Sequence, residues 1–306
     1  MTKDDSEIKQ RMSRISKQLR AYTKLNNLDH NFTLMRYAGE RLLYRISVSK
    51  YSDLFVLKGA MLFSLWTGKL LRQTKDIDFL GYDEDSDERF KQIFYEIGLI
   101  KPQIDDGIEF DVEKISVEQI RENQAYQGKH IKMPVKGSSI VVQIDVGFGD
   151  FITPQPSEAV YPSLVADLPE TKIKVYNKET VIAEKFEAIV SLGTANSRMK
   201  DFYDIWVMSN DFDFEGRLLF DAVKNTFARR KTALPSGIPD GLNKDLMLTI
   251  DKITMWNNFL SRNNLDLAVG FADVIDRLCI FLIVPIESLN SKMSFSKNWK
   301  PSEHWH

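Results

Sequence analysis

The chain has 306 residues, of which 43% are hydrophobic and 27% are charged, a balance that is ordinary for a globular protein. Its formal net charge of −2 excludes a global basic field, so any contact with nucleic acid depends on local patches. The single cysteine, Cys279, excludes a disulfide within the chain and favours a reducing compartment. No stretch reaches the roughly 18 apolar residues of a membrane span. We therefore expect a cytoplasmic protein without a membrane partner.

Two amphipathic helices are predicted at the N-terminus. The first spans residues 6–24, with Ile8, Met12, Ile15 and Leu19 on one face, and the second spans residues 33–45. Both carry many lysine and arginine residues. These residues either face solvent, which is the more common arrangement, or form an RNA-binding surface.

Residues 54–82 are the segment around which the rest of the chain is organised. Residues 54–57 form a short apolar run that is typical of a buried strand. Lys58, Gly59 and Ala60 follow at once, and their small residues favour a tight turn into a helix over residues 60–66. A polar connection after Gly68 leads to a second strand.

The second strand of this segment carries two carboxylates on one face. Alternate residues of an extended chain share a face, so Thr74, Asp76 and Asp78 point one way, and Ile77 and Phe79 point the other. Two neighbouring carboxylates repel each other, and a divalent cation removes the repulsion. Hard oxygen ligands are those that Mg²⁺ prefers. We therefore expect a magnesium site at Asp76 and Asp78.

A third carboxylate lies in a later strand. Residues 86–97 are predicted as a helix, residues 108–117 as a strand, and residues 132–148 as two strands with a turn at 136–139. Asp145 interrupts the β-branched, apolar second half of that last segment. A buried charge needs a partner. Asp145 either hydrogen-bonds to a turn or shares a metal with Asp76 and Asp78, and the presence of those two carboxylates favours the metal.

The chain is predicted to change character after residue 150. Residues 151–172 contain four prolines without a clear period, which indicates a linker or wrapped loop. We place the domains at residues 1–170 and 171–306. The second is predicted to begin with a strand over 172–176 and to continue with helices over 179–192, 198–209, 215–230, 243–261 and 265–281. The polar tail from Ser288 is predicted to be loose.

Lys185 lies within the apolar arc of the first of these helices, for which Asn177 is a plausible N-cap. Glu184 and Glu187 fall outside that arc on a helical projection. A lysine that points inward needs a negative partner. It forms either a structural ion pair, the more common case, or a phosphate contact in a cleft.

The next helix begins with several charged residues close together. They are Arg198, Lys200, Asp201 and Asp204. We interpret them as an ion-pair network that either fastens this helix to the preceding one or completes a phosphate pocket with Lys185.

Three motifs in a fixed order resemble those of one known family. They are K-G-A followed by R-x-T-x-D-I-D-F, then A-E-K-F-x-A, then S-R-x-K-D-F-Y-D-I. Together they resemble the AbiEii/AbiGii toxins over roughly residues 54–206. These are nucleotidyltransferase-like toxins of bacterial abortive-infection, or type IV toxin–antitoxin, systems and are related to the MenT tRNA nucleotidyltransferase toxins. The resemblance implies an α+β fold with the small mixed sheet and flanking helices of polymerase β-type nucleotidyltransferases. A helical C-terminal domain that contributes to the active-site cleft would follow.

The resemblance also implies roles for individual residues. The implied assignments are Lys58, Gly59 and Ala60 at the triphosphate turn, Asp76 and Asp78 as metal ligands, Thr74 as the active-site Ser/Thr, Lys185, Arg198 and Lys200 as nucleotide contacts, Asp201 as the acidic residue of the R-x-K-D motif, and Asp145 as the third metal carboxylate. One position departs from the family. Gly59-Ala60 stands where Gly-Gly or Gly-Ser is usual, so one serine contact to phosphate is missing.

The implied activity is transfer of a nucleoside monophosphate from an NTP to an RNA acceptor, with tRNA as the expected acceptor and two Mg²⁺ ions as cofactors. Translation would stop, and the expected partner is an AbiEi-type antitoxin. Asp145 is the candidate to activate the acceptor hydroxyl. The alternatives are transfer to a small-molecule or protein hydroxyl, and a nucleotide-binding regulator without turnover.

Overall fold

The computed structural model describes residues 3–69, 71–82, 86–122, 126–265, 268–290 and 295–306. The chain forms two compact units, the first made of Met1–Gly149 and Ser157–Val175 and the second of Asp150–Pro156 and Tyr176–His306. The strand at residues 171–175 thus belongs to the first unit, five residues beyond the boundary that the sequence suggested.

The first unit combines four helices with one sheet among its described residues. The helices are α1 (Lys3–Leu25), α2 (His30–Ser47), α3 (Met61–Thr67) and α4 (Asp87–Leu99). The strands are β1 (Phe55–Lys58), β2 (Asp76–Gly81), β3 (Ser116–Glu122), β4 (Tyr126–Pro134), β5 (Val141–Phe148), β6 (Ser157–Tyr161) and β7 (Thr171–Val175).

The seven strands form a mixed sheet in the order β3-β4-β5-β2-β1-β7-β6. Strand β2 runs parallel to β5 and antiparallel to β1, while β1 runs parallel to β7. Alternate residues of β5 and of the first four positions of β2 are buried, because one face of the sheet packs on helices. On that face Phe55 contacts Phe79 and Phe94 of α4, with ring centroids 5.4 and 5.7 Å apart. The opposite face carries the acidic residues of β2 and β5.

Two arginines of the predicted basic helices are buried instead of facing solvent or RNA. Arg45 is 2% exposed and holds both carboxylate oxygens of Asp106, at 2.8 and 3.1 Å. Arg41 is 1% exposed and pairs with Glu40. A buried charge is tolerated when it is paired and hydrogen-bonded. These arginines therefore fix α2 within the first unit.

The second unit is mainly helical. Its elements are α5 (Lys178–Leu192), α6 (Met199–Asp211), β8 (Phe214–Glu215), α7 (Gly216–Arg230), α8 (Lys244–Met247), α9 (Ile250–Arg262), α10 (Phe271–Asn290), β9 (Asn298–Lys300) and β10 (His304–Trp305). The last two strands pair with β8 in the order β10-β9-β8. The predicted loose tail is wrong for residues 295–306, because Trp299 is fully buried and its ring packs on Phe281 with the centroids 4.7 Å apart.

The predicted α+β class is confirmed by the mixed sheet, its flanking helices and the helical second unit. Residues 108–117 are not one strand, because Val112–Lys114 forms a 3-10 turn before β3. Strand β6 lies within the predicted loop, and α10 begins later and ends later than predicted. Residues 266–267 of that predicted helix lie outside the described residues. Among the described helices, none combines the length and apolarity that crossing a membrane requires.

Candidate active site

Asp76 and Asp78 lie on β2 as the sequence pattern predicts. Both are half-buried, whereas Ile77 and Phe79 between and after them are buried on the helix-covered face. Asp145 has the same orientation on β5, where every second residue is buried. The three carboxylates thus share the face of the sheet that is opposite the packed core.

One row of side chains crosses four neighbouring strands on this face. Lys58 of β1 is opposite Asp78 of β2, Asp78 is beside Asp145 of β5, and Asp145 is opposite His130 of β4. Nδ1 of His130 lies 2.5 Å from Oδ1 of Asp145. Because both imidazole and carboxylate are half-buried, this contact fixes the orientation of the Asp145 carboxyl group.

Lys58 extends from the end of β1 over the carboxylate face. An ideal Cβ on Gly147 of β5 would lie 3.8 Å from Nζ of Lys58, so this ammonium group reaches as far as β5. Gly59 then turns the chain with φ +74°, and α3 begins at Met61 with Ala60 as its N-cap residue. The predicted tight turn into a helix is therefore present.

A small cavity lies beside this turn within the first unit. It is lined by Ala60, Met61 and Ser64 after β1, by Thr74–Ile77 at the start of β2, and by Arg36 and Tyr161, among others. The hydroxyl of Thr74 donates to the carbonyl of Asp76 at 3.4 Å, which ties Thr74 to the strand. Thr74, Asp76 and Ala60, which the family resemblance had singled out, thus line one cavity.

The residues of β2 and β5 fit Mg²⁺ by their chemistry, since they offer carboxylate oxygens on one accessible face. Within the described ranges, no three His, Cys, Asp or Glu side chains stand close enough to hold an ion by themselves. Mg²⁺ is commonly bound by one or two carboxylates together with substrate phosphates. Asp76 and Asp78 supply such a pair.

Lys185 forms two ion pairs inside the second unit. Its Nζ lies 2.8 Å from Oδ1 of Asp201 and 2.8 Å from Oδ2 of Asp204. Both carboxylates belong to α6 and are buried, whereas Lys185 belongs to α5, which begins after the N-cap Asn177 as predicted. The structural ion pair that the sequence favoured is therefore present, and it fastens α6 to α5.

Arg198 completes this network, and Lys200 does not enter it. Nε of Arg198 lies 2.7 Å from Oδ2 of Asp201, so that carboxylate is held between two cations. Burial alone would raise the pKa of Asp201, but the charges of Lys185 and Arg198 outweigh burial and hold it below its ordinary value. Lys200 is exposed on α6.

His130 and Arg36 are the site residues that the sequence analysis missed. A signal for His130 exists in the sequence. Counting outward residue by residue from the predicted turn at 136–139 brings residue 130 opposite residue 145, which is the observed register. The predicted strand began only at residue 132, two residues too late. Arg36 had no such signal, because it is one of many basic residues on two helices.

Two crystal structures are similar to the chain over most of its length. One is "Crystal structure of JHP933 from Helicobacter pylori", with 10% identity, a TM-score of 0.47, and coverage of 87% of this chain and 94% of that chain. The other is "Crystal structure of putative nucleotidyltransferase from H. pylori", with 11% identity, a TM-score of 0.46, and coverage of 87% and 97%. No curated protein matches the sequence.

Residues 41–277 match the family described as "Nucleotidyl transferase AbiEii toxin, Type IV TA system". The match includes the Lys58–Gly59 turn, both carboxylates of β2, Asp145 and the Lys185 network, and it spans more than half of the chain. The chain therefore belongs to the AbiEii family of nucleotidyl transferase toxins of type IV toxin–antitoxin systems.

Proposed function

We propose that the protein is a Mg²⁺-dependent nucleotidyltransferase toxin that transfers a nucleoside monophosphate from an NTP to an RNA acceptor, with tRNA as the expected acceptor. The observation that carries the proposal is the row of Lys58, Asp78 and Asp145 on adjacent strands, with Asp76 on the same face. Family membership supports the same reaction class.

Asp76 and Asp78 are the residues proposed to hold two Mg²⁺ ions, with Asp145 beside Asp78 as the third carboxylate. When bound, the ions would supply charge stabilisation at the attacking and leaving oxygens. The two aspartates are half-buried on β2, which places them on the same face of the sheet.

The phosphates of the NTP would be bound by the turn after β1. Lys58 carries a positive charge over the carboxylate face, and the backbone at Gly59 and Ala60 can approach a phosphate closely. For Lys185, Arg198 and Lys200, a nucleotide contact stays a prediction from the family. The first two already hold Asp201, so a nucleotide role would be additional to a structural one.

Asp145 is proposed to accept the proton of the acceptor hydroxyl. His130 engages Oδ1, which leaves Oδ2 as the oxygen that can face the substrate. An RNA acceptor is supported by the exposed basic residues of α1, including Arg14, Lys17, Arg20 and Lys24, which offer a local positive surface on a chain of net charge −2. Modification of tRNA would stop translation. The family implies an antitoxin, and we propose one of the AbiEi type.

The proposal is tested by incubating the purified protein with total bacterial RNA, Mg²⁺ and each α-labelled NTP in turn. Asp76→Asn removes one carboxylate charge from β2, and Asp53→Asn is the matched control because Asp53 is exposed in the same unit. We expect label in a tRNA-sized band with the native protein and with Asp53→Asn, and none with Asp76→Asn. Melting temperatures establish that all three proteins are folded.

Two results would contradict the proposal. Label in RNA with Asp76→Asn at the native rate would remove the carboxylates of β2 from the reaction. No label in RNA with any NTP would exclude an RNA acceptor in that mixture. If NTP still bound in a Mg²⁺-dependent way, a small-molecule or protein acceptor, or a regulator without turnover, would then be favoured.

A further inference from the structure

Arg36 is a half-buried arginine on the wall of the cavity beside Asp76. Its Nη1 donates to the hydroxyl of Tyr22 at 2.7 Å, and its Nη2 donates to the hydroxyl of Ser64 at 3.2 Å. The guanidinium group also lies over the ring of Tyr22, 5.7 Å from its centroid. All of these partners are neutral. Across the ranges that the structure describes, Arg36 forms no ion pair with a carboxylate.

Tyr161, a further lining residue, does not supply a negative charge either. Burial raises the pKa of Tyr161 to about 12, so its hydroxyl is neutral near physiological pH. Asp76 is the carboxylate among the residues that line the cavity, and it forms no ion pair with Arg36. Partly burying a cation without an ion pair is costly, and the cost is recovered when an anion binds to it. The hydroxyls that hold Arg36 keep its planar group in a fixed orientation, which suits bidentate recognition of an oxyanion.

The size of the cavity limits what can enter. Its volume is about 20 Å³. On the same scale a single water molecule needs roughly 10–15 Å³. A nucleobase ring is too large for that space. One or two oxygens of a phosphate group fit, with the remainder of the ligand outside.

The position of the cavity indicates which phosphate these oxygens belong to. Ala60 and Met61, which follow the proposed triphosphate turn, line the same cavity as Arg36 and Asp76. A phosphate oxygen in the cavity would therefore be next to the turn and to Asp76, where β2 begins. A backbone phosphate of RNA has the same chemistry, so the two sources must be separated by experiment.

We propose that Arg36 forms a phosphate subsite that binds oxygens of the NTP triphosphate in this cavity. The inference depends on the proposed function, because it assigns one more contact to the same nucleotide. It gives the chain an arginine contact to phosphate that is separate from Lys58 and from the Lys185 network.

The test measures binding of inorganic tripolyphosphate with Mg²⁺ by calorimetry, since this probe has phosphates but neither a base nor a ribose. Arg36→Gln removes the charge and keeps a hydrogen-bond donor, whereas Arg36→Lys keeps the charge and loses the planar fork. Arg217→Gln is the matched control, because Arg217 is an exposed arginine in the other unit. Hydrogen bonds to charged groups are worth enough that Arg36→Gln should weaken binding roughly 10- to 100-fold. Arg36→Lys should lose less, and Arg217→Gln should bind as the native protein does.

Ser64→Ala guards against a structural explanation. It removes one of the two hydroxyls that hold Arg36 but leaves the guanidinium charge and the contact with Tyr22, so we expect a smaller loss of tripolyphosphate affinity than with Arg36→Lys. Melting temperatures of all variants are compared. If Arg36→Gln does not fold, the subsite is tested by comparing Arg36→Lys with Ser64→Ala. A loss of tripolyphosphate affinity in Ser64→Ala as large as that in Arg36→Lys would overturn the subsite.

The remaining outcomes separate the inference from the proposed function. Native binding of tripolyphosphate by Arg36→Gln would overturn the subsite and leave the proposed function intact. In a further outcome, Arg36→Gln binds tripolyphosphate as the native protein does but binds RNA more weakly in a filter-binding assay. That result would overturn the assignment to NTP and assign the contact to an RNA phosphate. No binding of tripolyphosphate or NTP by the native protein would overturn both.

Discussion

A Cβ atom added to Gly59 would lie 1.9 Å from Oδ2 of Asp78. This close approach follows from the register of the sheet. Lys58, the last residue of β1, is directly opposite Asp78 of β2, so the next residue of the chain passes over the Asp78 carboxyl group. Position 59 therefore requires glycine. The backbone of the turn lies directly beside the Asp78 carboxylate.

Gly59→Ala should therefore impair both folding and transfer. Its φ of +74° is in the left-handed region, where a side chain costs about 1–2 kcal/mol, and the new Cβ would also displace Asp78. Gly137→Ala is the matched control, because Gly137 has φ +71° but nothing within 4 Å of its Cβ position. Urea unfolding should show a larger loss for Gly59→Ala, and only that variant should lose transfer activity. Equal losses of stability in the two variants would contradict the proposed clash.

The placement of the β2 carboxylates could be predicted from the sequence because it is a local property. Alternation along a strand fixes which of Asp76, Ile77, Asp78 and Phe79 share a face, whatever the rest of the chain does. The position of His130 could also be predicted, because a hairpin register is fixed by its turn. His130 was missed only because the predicted strand began at residue 132, two residues too late.

The burial of charged residues could not be predicted in the same way. Glu184 and Glu187 fall outside the apolar arc of α5, yet their side chains are only 16% and 7% exposed. The reason is Arg230, which contacts both, and which also binds Asp150. Such pairing between residues far apart in sequence leaves no periodic pattern, and the same applies to Arg36 and Ser64.

Lys185→Met should destabilise the second unit by about 3–5 kcal/mol, because it leaves Asp201 and Asp204 buried without their lysine. Lys185→Met combined with Asp204→Asn should recover part of that loss, because one uncompensated charge is removed. The free energy of unfolding, measured with urea, checks both values.

The same pair of variants separates a structural role of Lys185 from a nucleotide role. If Lys185 contacts the nucleotide as in the family, the double variant should fold more stably than Lys185→Met and still fail to transfer label. We expect this result. Native transfer by the folded double variant would limit Lys185 to fastening α6 to α5.

Acid should weaken the native protein partly through Asp201. Its pKa is held below the ordinary value of 3.8 in the folded protein by Lys185 and Arg198, which outweigh burial. A carboxyl group with a lowered folded pKa contributes stability above its unfolded pKa, and that contribution is lost as the pH falls through the folded pKa. The free energy of unfolding should therefore drop below about pH 4 more steeply for the native protein than for Asp201→Asn. Identical slopes in the two proteins would show that Asp201 has the same pKa folded and unfolded.

His130→Ala should slow transfer through Asp145. The imidazole holds Oδ1 of Asp145 at 2.5 Å, and without it the carboxyl group can rotate away from the acceptor hydroxyl. Loss of a residue that orients a functional group typically costs roughly 10- to 100-fold in activity, so we expect kcat to fall within that range. KM for the NTP should be unchanged, because His130 is on the far side of Asp145 from Lys58 in the row.

Two control variants test this role of His130. His130→Asn, which can still donate to Asp145, should recover part of the rate. His30→Gln, at an exposed histidine of α2, should have no effect. A rise in KM with unchanged kcat would instead place His130 at the nucleotide, and no recovery with His130→Asn would argue against orientation of Asp145 as its role.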